Sequence, residues 1–259
     1  MFFTETKFAQ VLNKYNYNFK TSDIIAGTIF SKEQEGYLVD VGHHIAAYLP
    51  NAEIILSDNN NTTIHLNETR EFFILAYDTL NNQLILSLKR LKYIRAWDRI
   101  KQLKAEDVIV DAYVKGINKG GLLVEIEDIQ GFIPNSHICY GIPKNQLLNK
   151  LTKCKFLIAN EQNNQLILSN RCAVITQIVK DHKINIKVGS TINAKITEIT
   201  DFGIFFNLYN IPALMHKSEI KLKHENYTTN KFKIGQEFTI KIRHLDIRQG
   251  RISISMNDN

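Results

Sequence analysis

Cysteine is scarce in the sequence, and its placement argues against the usual cysteine-based frameworks. The 259-residue chain has three cysteines, Cys139, Cys154 and Cys172, and no two of them have the Cys-x-x-Cys spacing. Disulfide-stapled domains and zinc knuckles both depend on paired cysteines at short, regular spacing. The sequence therefore predicts neither, and it favours a reducing compartment.

Long apolar runs are also missing. No run approaches the roughly 20 residues that a membrane-spanning helix needs, so we expect no membrane partner. The chain starts without a basic region followed by an apolar core, and without the Arg- and Ser-rich pattern of an organelle import leader. We therefore expect the protein to work in the compartment where it is made.

The common catalytic motifs are absent as well. The sequence has no Walker loop, no His-Glu-x-x-His motif, no nucleophile elbow and no evident carboxylate cluster for two metal ions. The adjacent pair His43-His44 would point to opposite faces of a strand, which argues against a shared metal. We expect no enzyme activity, no metal site and no cofactor.

What the sequence does contain is a threefold internal repeat. Lys119-Gly120-Gly121 aligns without a gap on Asp201-Phe202-Gly203, and the first copy joins at Glu35-Gly36. Each copy then closes with a similar apolar segment after a polar turn, at residues 83–87, 165–169 and 251–255. Three ordered matches of this kind predict three copies of one structural unit.

Within each copy the hydrophobic pattern predicts short β-strands. In the third copy Ile204, Phe206 and Leu208 alternate with positions that would face outward. About five strands in roughly 70 residues are typical of the OB-fold, a five-stranded Greek-key barrel. We therefore predict an all-β dominated chain of three tandem five-stranded OB-fold barrels joined by short helical linkers.

The connecting segments have helical patterns. Residues 88–105 lack Gly and Pro and place five apolar side chains on one helical face: Leu91, Ile94, Trp97, Ile100 and Leu103. A second short helix is predicted from Ala173 to Asn185, and a docking helix within residues 5–16. The predicted order is a docking helix (1–19), barrel 1 (20–90), a linker helix (91–104), barrel 2 (105–172), a linker (173–185) and barrel 3 (186–257).

Four fragments of the third copy resemble the S1 RNA-binding domain of ribosomal protein S1. They are Asp201–Phe206, Leu214–Ile220, Ile234–Gln236 and Arg251–Ser255. Phe8-Ala9-Gln10 resembles the start of bacterial S1 proteins, and the second copy is similar to the cyanobacterial and plastid branch. The resemblance implies a small-subunit ribosomal protein that binds single-stranded mRNA and helps bring it to the initiating ribosome.

Composition and resemblance together give an expected location. Lysine outnumbers arginine 24 to 8, and the chain has 36 isoleucines and 26 asparagines, as an AT-rich gene would encode. Three domains of this composition resemble the S1 protein encoded in algal plastid genomes. We expect a plastid-encoded protein of the chloroplast stroma; the cytoplasm of an AT-rich bacterium is the alternative.

The resemblance also implies the RNA-contacting residues. Phe202 and Phe205 would be the stacking pair, His216 a third planar contact, and Asp246 and Arg251 the polar contacts. We expect four lysines to add positive charge: Lys195, Lys217, Lys221 and Lys223. Three alternatives stay open: Phe205 capping a neighbouring segment, Asp246 and Arg251 forming a plain ion pair, and His216 being an ordinary surface histidine.

The three copies differ in charge and aromatic content. Residues 20–90 carry a net charge of −4, residues 105–172 are neutral and residues 186–257 carry +5, within a chain of net charge +6. Leu38 and Leu123 stand at the position of Phe205. An acidic surface repels phosphate and a basic one attracts it. We expect the amino-terminal helix and barrel 1 to dock on small-subunit proteins, barrel 2 to space or assist, and barrel 3 to grip mRNA.

Two other classes of protein are alternatives to this reading of the sequence. One is a non-ribosomal S1-domain factor in transcription or RNA decay, although the chain lacks the Gly-x-x-Gly loop of the KH domains that such factors often add. The other is a structural adaptor without RNA contacts, which would leave the aromatics and lysines gathered in one barrel without an explanation.

Overall fold

A computed structural model describes residues 19–42, 46–54, 64–78, 83–139, 143–180, 186–221 and 232–256. The chain divides into two compact units, residues 1–96 and 97–259. The first unit contains barrel 1, and the second contains barrels 2 and 3. The helix predicted within residues 5–16, the pair His43-His44 and Lys223 lie outside the described residues.

The described residues form fifteen strands and three α-helices. Barrel 1 consists of β1 (Ile24–Lys32), β2 (Gly36–Asp40), β3 (Ala47–Pro50), β4 (Thr69–Asp78) and β5 (Gln83–Ser87). Barrel 2 consists of β6 (Val110–Ile117), β7 (Gly121–Ile126), β8 (Ile129–Pro134), β9 (Leu151–Asn160) and β10 (Gln165–Ser169). Barrel 3 consists of β11 (Thr191–Thr200), β12 (Gly203–Leu208), β13 (Ile211–His216), β14 (Glu237–Asp246) and β15 (Arg251–Met256). The helices are α1 (Leu88–Ala105), α2 (Asn170–Lys180) and the short α3 (Lys217–Lys221).

All three barrels close with the same strand order. In barrel 3 the order is β11-β12-β13-β15-β14, with β14 returning to pair with β11. The neighbouring pairs are antiparallel except β13 and β15, which are parallel. This is the five-stranded Greek-key closure of the OB-fold, and it confirms the predicted fold class.

The core of barrel 3 follows the alternation of its strands. Ile204, Phe206 and Leu208 are buried, and the ring of Phe206 meets that of Phe238 edge-on, with 6.3 Å between the centroids. Because successive strand side chains point to opposite faces, the positions between them lie on the outside of the barrel.

A glycine begins the second strand of every barrel, where the third strand approaches very closely. A Cβ added at Gly36, Gly121 or Gly203 would lie 2.4, 2.0 or 2.4 Å from a carbonyl oxygen of that neighbouring strand. Only a residue without a side chain allows this approach. The three copies therefore share a backbone constraint as well as a hydrophobic pattern.

Both long helices begin directly after a barrel ends. The Ser87 hydroxyl accepts the N–H of Arg90 at 2.8 Å, and the Ser169 hydroxyl accepts the N–H of Cys172 at 3.1 Å. A serine that satisfies a first-turn N–H is a favoured start for a helix. Helix α2 therefore begins at Asn170, ahead of the predicted Ala173, and it is described as far as Lys180; residues 181–185 of the predicted helix lie outside the described residues.

Candidate nucleic-acid interface

Two phenylalanine rings lie on the outside of barrel 3. Phe202 is in the turn before β12 and is 48% exposed, and Phe205 is half-buried between the core residues Ile204 and Phe206. The ring centroids of Phe202 and Phe205 are 5.9 Å apart and the planes meet at 87°, an edge-to-face contact. The pair forms an apolar, ring-bearing surface that is open to solvent at Phe202.

His216 and Lys217 lie beside this pair. His216 ends β13 directly opposite Gly203, and the N–H of Lys217 donates to the carbonyl oxygen of Phe202 at 3.0 Å. The His216 side chain is exposed, with its Nδ1 2.8 Å from the hydroxyl of Ser218. The closure of β12 on β13 thus brings three of the predicted contact residues to one end of the same face.

Arg251 lies at the other end of the face, where it borders a pocket of about 270 Å³. Its side chain is exposed, and in the part of the chain that the structure describes its guanidinium makes no ion pair or hydrogen bond. The pocket is lined by Arg171, Phe205, Pro212, Leu214, Gly250, Arg251, Ile252 and Ser253. An aromatic surface and an exposed arginine therefore border one depression.

Asp246 pairs with Arg251 across the β14–β15 ladder, yet the two side chains do not form an ion pair within the described residues. The Asp246 carboxylate instead accepts the N–H of Gln249 at 2.9 Å and so stabilises the hairpin turn. The ion-pair alternative for these two residues is therefore wrong. Asp246 shapes the turn that carries Arg251.

The predicted lysines are in different situations. Lys195 lies opposite Asn207 and forms an exposed ion pair with Glu237 at 3.2 Å, which offsets part of its charge. Lys217 is exposed, and no ion pair to it occurs among the described residues. The side chain of Lys221 and the whole of Lys223 lie outside the described part of the chain.

The structure also brings in residues that the sequence analysis missed. Leu214 and Pro212 line the pocket because β13 lies between β12 and β15. Arg171 belongs to α2 and precedes the whole of barrel 3 in the chain, so no motif within that barrel pointed to it. The sequence signal that could have pointed to Arg171 was Ser169, which marks the start of α2.

Barrels 1 and 2 have a different outer face at the equivalent place. A Cβ at Gly36 would lie 2.7 Å from the ring of Tyr48, and a Cβ at Gly121 would lie 2.8 Å from the ring of Phe132. Each ring comes from the third strand of its barrel and covers the glycine, at the position where barrel 3 has Leu214. Barrels 1 and 2 therefore also carry an aromatic ring on this face, but it comes from the third strand, whereas Phe205 of barrel 3 is on the second.

The three cysteines are free and buried. Burial raises the pKa of Cys139 to about 11, and it raises the pKa of the Cys154 and Cys172 thiols as well. These groups are therefore neutral thiols at physiological pH, without the thiolate character of a nucleophile.

The described residues contain no group of three His, Cys, Asp or Glu side chains placed to hold a metal ion. Among the helices of the same segments, none is both long and apolar enough to cross a membrane.

Three closed OB-type barrels, one with a ring-bearing and basic outer face, define a tandem-barrel protein of the nucleic-acid-binding class. The S1 RNA binding domain matches residues 18–89, 104–169 and 185–257. The chain is 46% identical to small ribosomal subunit protein bS1c of Pyropia yezoensis, over 98% of this chain and 96% of that protein.

Two more relatives extend the comparison. Identity is 40% with small ribosomal subunit protein bS1A of Synechocystis sp., over 98% of this chain and 76% of that protein. It is 31% with bS1c of Spinacia oleracea, over 98% of this chain and 61% of that protein. The chain belongs to the ribosomal protein S1 family, in its plastid and cyanobacterial branch.

Proposed function

We propose that the protein is a small-subunit ribosomal protein that binds single-stranded mRNA and helps recruit it to the ribosome for initiation. Barrel 3 is the part that grips the RNA. The observation that carries this proposal is the outward Phe202–Phe205 pair on the same face as the exposed Arg251, which borders one pocket with Phe205.

The energetics favour an RNA partner for this face. An exposed phenylalanine ring is costly to hydrate, at about 25 cal/mol per Å² of apolar surface. Stacking a base on such a ring stabilises a complex by ~1–3 kcal/mol and tolerates any base. Since residues 186–257 carry a net charge of +5, the same surface also attracts the phosphate backbone.

The other parts have a complementary role in this proposal. Residues 20–90 carry a net charge of −4, which disfavours phosphate and suits contact with basic ribosomal proteins. The amino-terminal segment and barrel 1 therefore dock on proteins of the small subunit, while barrel 2 spaces or assists. The compartment we propose is the chloroplast stroma, with the gene in the plastid, because relatives in this branch are plastid and cyanobacterial proteins.

The RNA-gripping role is tested with single substitutions in the full chain. Phe205→Ala should weaken binding of a single-stranded oligonucleotide by ~1–3 kcal/mol, because one stacking platform is lost. Leu123→Ala is the matched control, since Leu123 holds the same position in barrel 2 and is 46% exposed. Equal affinities for the two variants, measured by fluorescence anisotropy, would remove barrel 3 as the gripping part.

The ribosomal role is tested by sedimentation. The protein should travel with small ribosomal subunits at low salt and be released at high salt. A protein that instead travels with RNA polymerase or with an RNA-decay complex would belong to the non-ribosomal alternative. Incubation with end-labelled RNA and magnesium should leave the RNA intact, because the proposed function is binding alone.

A further inference from the structure

Arg171 is the residue of the pocket that comes from outside barrel 3. It lies in the first turn of α2, the helix that follows barrel 2, and it borders the same depression as Phe205 and Arg251. All of these residues belong to the second compact unit of the chain. The pocket is therefore built partly by the connection between barrels 2 and 3.

Three contacts hold the β14–β15 turn against this helix. The Cys172 thiol donates to the carbonyl oxygen of Arg248 at 3.2 Å, and the Arg171 guanidinium donates to the carbonyl oxygen of Gln249 at 3.5 Å. Gly250 has a φ of +66°, and a Cβ there would lie 3.1 Å from Arg171 Nε and from the Cys172 sulfur. These contacts hold the start of α2 close to the strand that carries Arg251.

The two arginines place their charges in one region. His137, from the turn after β8, lies near enough to both that they lower its pKa, after the larger effect of burial. Asp246 is the acidic group of the same hairpin, and its carboxylate accepts the N–H of Gln249. Two arginines that line one pocket together with an aromatic ring form a site suited to a phosphate, because arginine binds phosphate with paired N–H donors.

We propose that Arg171 and Arg251 together bind a backbone phosphate of the RNA strand whose base stacks on Phe205. The RNA site of barrel 3 is thus completed by a residue of the preceding helix. This inference rests on the proposed RNA-gripping role of barrel 3 and adds a named phosphate site to it.

The test compares Arg171→Gln with Arg248→Gln in the full chain, using a short oligouridylate at several salt concentrations. Arg248 is a matched control because it lies on the same hairpin turn but borders a different pocket. Arg171→Gln should weaken binding by about tenfold, as expected when one charged hydrogen-bonded contact is lost. The slope of log affinity against log salt should become shallower by about 0.7, the value for one phosphate on a single strand.

The variant Cys172→Ala tests whether weaker binding by Arg171→Gln comes from lost packing of the hairpin instead of lost charge. This change removes one of the contacts that seat the hairpin on α2 but keeps both arginine charges, so the salt slope should not change. Weaker binding by Arg171→Gln with an unaltered slope would overturn the inference, and so would behaviour equal to that of Arg248→Gln. If Phe205→Ala weakens binding in the same assay, the proposed function stands although the phosphate site fails; if neither variant does, both fail.

Discussion

Barrels 2 and 3 share a backbone plan and differ on the surface that it presents. Their second strands begin with Gly121 and Gly203, and each glycine packs against a carbonyl oxygen of the next strand. At the second position after each glycine, barrel 3 has the outward Phe205 where barrel 2 has Leu123. The inward positions and the glycine define the barrel, so the outward positions are free to acquire different functions.

The two barrels also differ in whether their lysines and arginines are paired with carboxylates. In barrel 2 several lysines are paired with carboxylates: Lys115 with Glu125, Lys153 with Asp111 at 3.4 Å, and Lys155 with Asp107. In barrel 3, Lys217, Lys241 and Arg251 are without ion pairs among the residues that the structure describes. Positive charge that is already paired attracts phosphate less, so this difference supports the proposal that barrel 3 grips the RNA, although Lys195 and Arg243 of barrel 3 are paired with Glu237 and Glu219.

The largest effect is expected on stability, at the glycine that begins the second strand in both barrels. Gly121→Ala and Gly203→Ala should each destabilise their barrel by about 3 kcal/mol, because the new Cβ would overlap a backbone carbonyl. Gly120→Ala is the control, since a Cβ there would meet its nearest neighbour, the Phe132 ring, at 3.4 Å. Chemical denaturation followed by circular dichroism measures all three. Equal stability of Gly120→Ala and Gly121→Ala would contradict the requirement for a glycine at the start of the second strand.

A smaller effect is expected from giving barrel 2 the rings of barrel 3. The double change Gly120→Phe and Leu123→Phe should strengthen binding of single-stranded RNA by about 1 kcal/mol, the lower end of the value for one stacked base. The gain should be small because barrel 2 is neutral overall. A gain as large as the loss in Phe205→Ala would show that charge contributes little to the difference between the barrels.

The smallest effect is expected from the thiols, which lie in barrel 2 and α2. Burial raises the pKa of Cys139 to about 11, so at pH 8 almost none of it is thiolate, whereas an unfolded chain with a pKa near 8.5 is partly ionised. Treating the folded protein with iodoacetamide at pH 8 should leave Cys139 unmodified and RNA binding unchanged. Mass spectrometry of the treated protein, with a denatured sample as control, detects any modification. Rapid labelling of folded protein would contradict the burial of this thiol.

The fold was largely predictable from residues close together in the chain. The alternation of Ile204, Phe206 and Leu208 and the glycine before them are local features that recur at a constant spacing. The start of α2 was not predicted, because the serine that ends β10 was assigned to the strand and not recognised as a helix cap.

The outer face was predictable only in part. The outward position of Phe205 follows from strand alternation, but the interaction of Asp246 depended on the geometry of its turn. The rings of Tyr48 and Phe132 cover glycines of a neighbouring strand, and an alignment of equal positions cannot show such a contact.

The sequence by itself determined the repeat, the strand pattern, the glycine positions and the charge of each barrel, because these depend on residue type and spacing along the chain. Tertiary structure alone decided that Arg171 and Arg251, which are far apart in the chain, border the same pocket. Their meeting requires β15 to close the barrel beside β13 and the β14–β15 turn to pack on α2. Contacts between distant segments depend on that closure and packing, which no local pattern encodes.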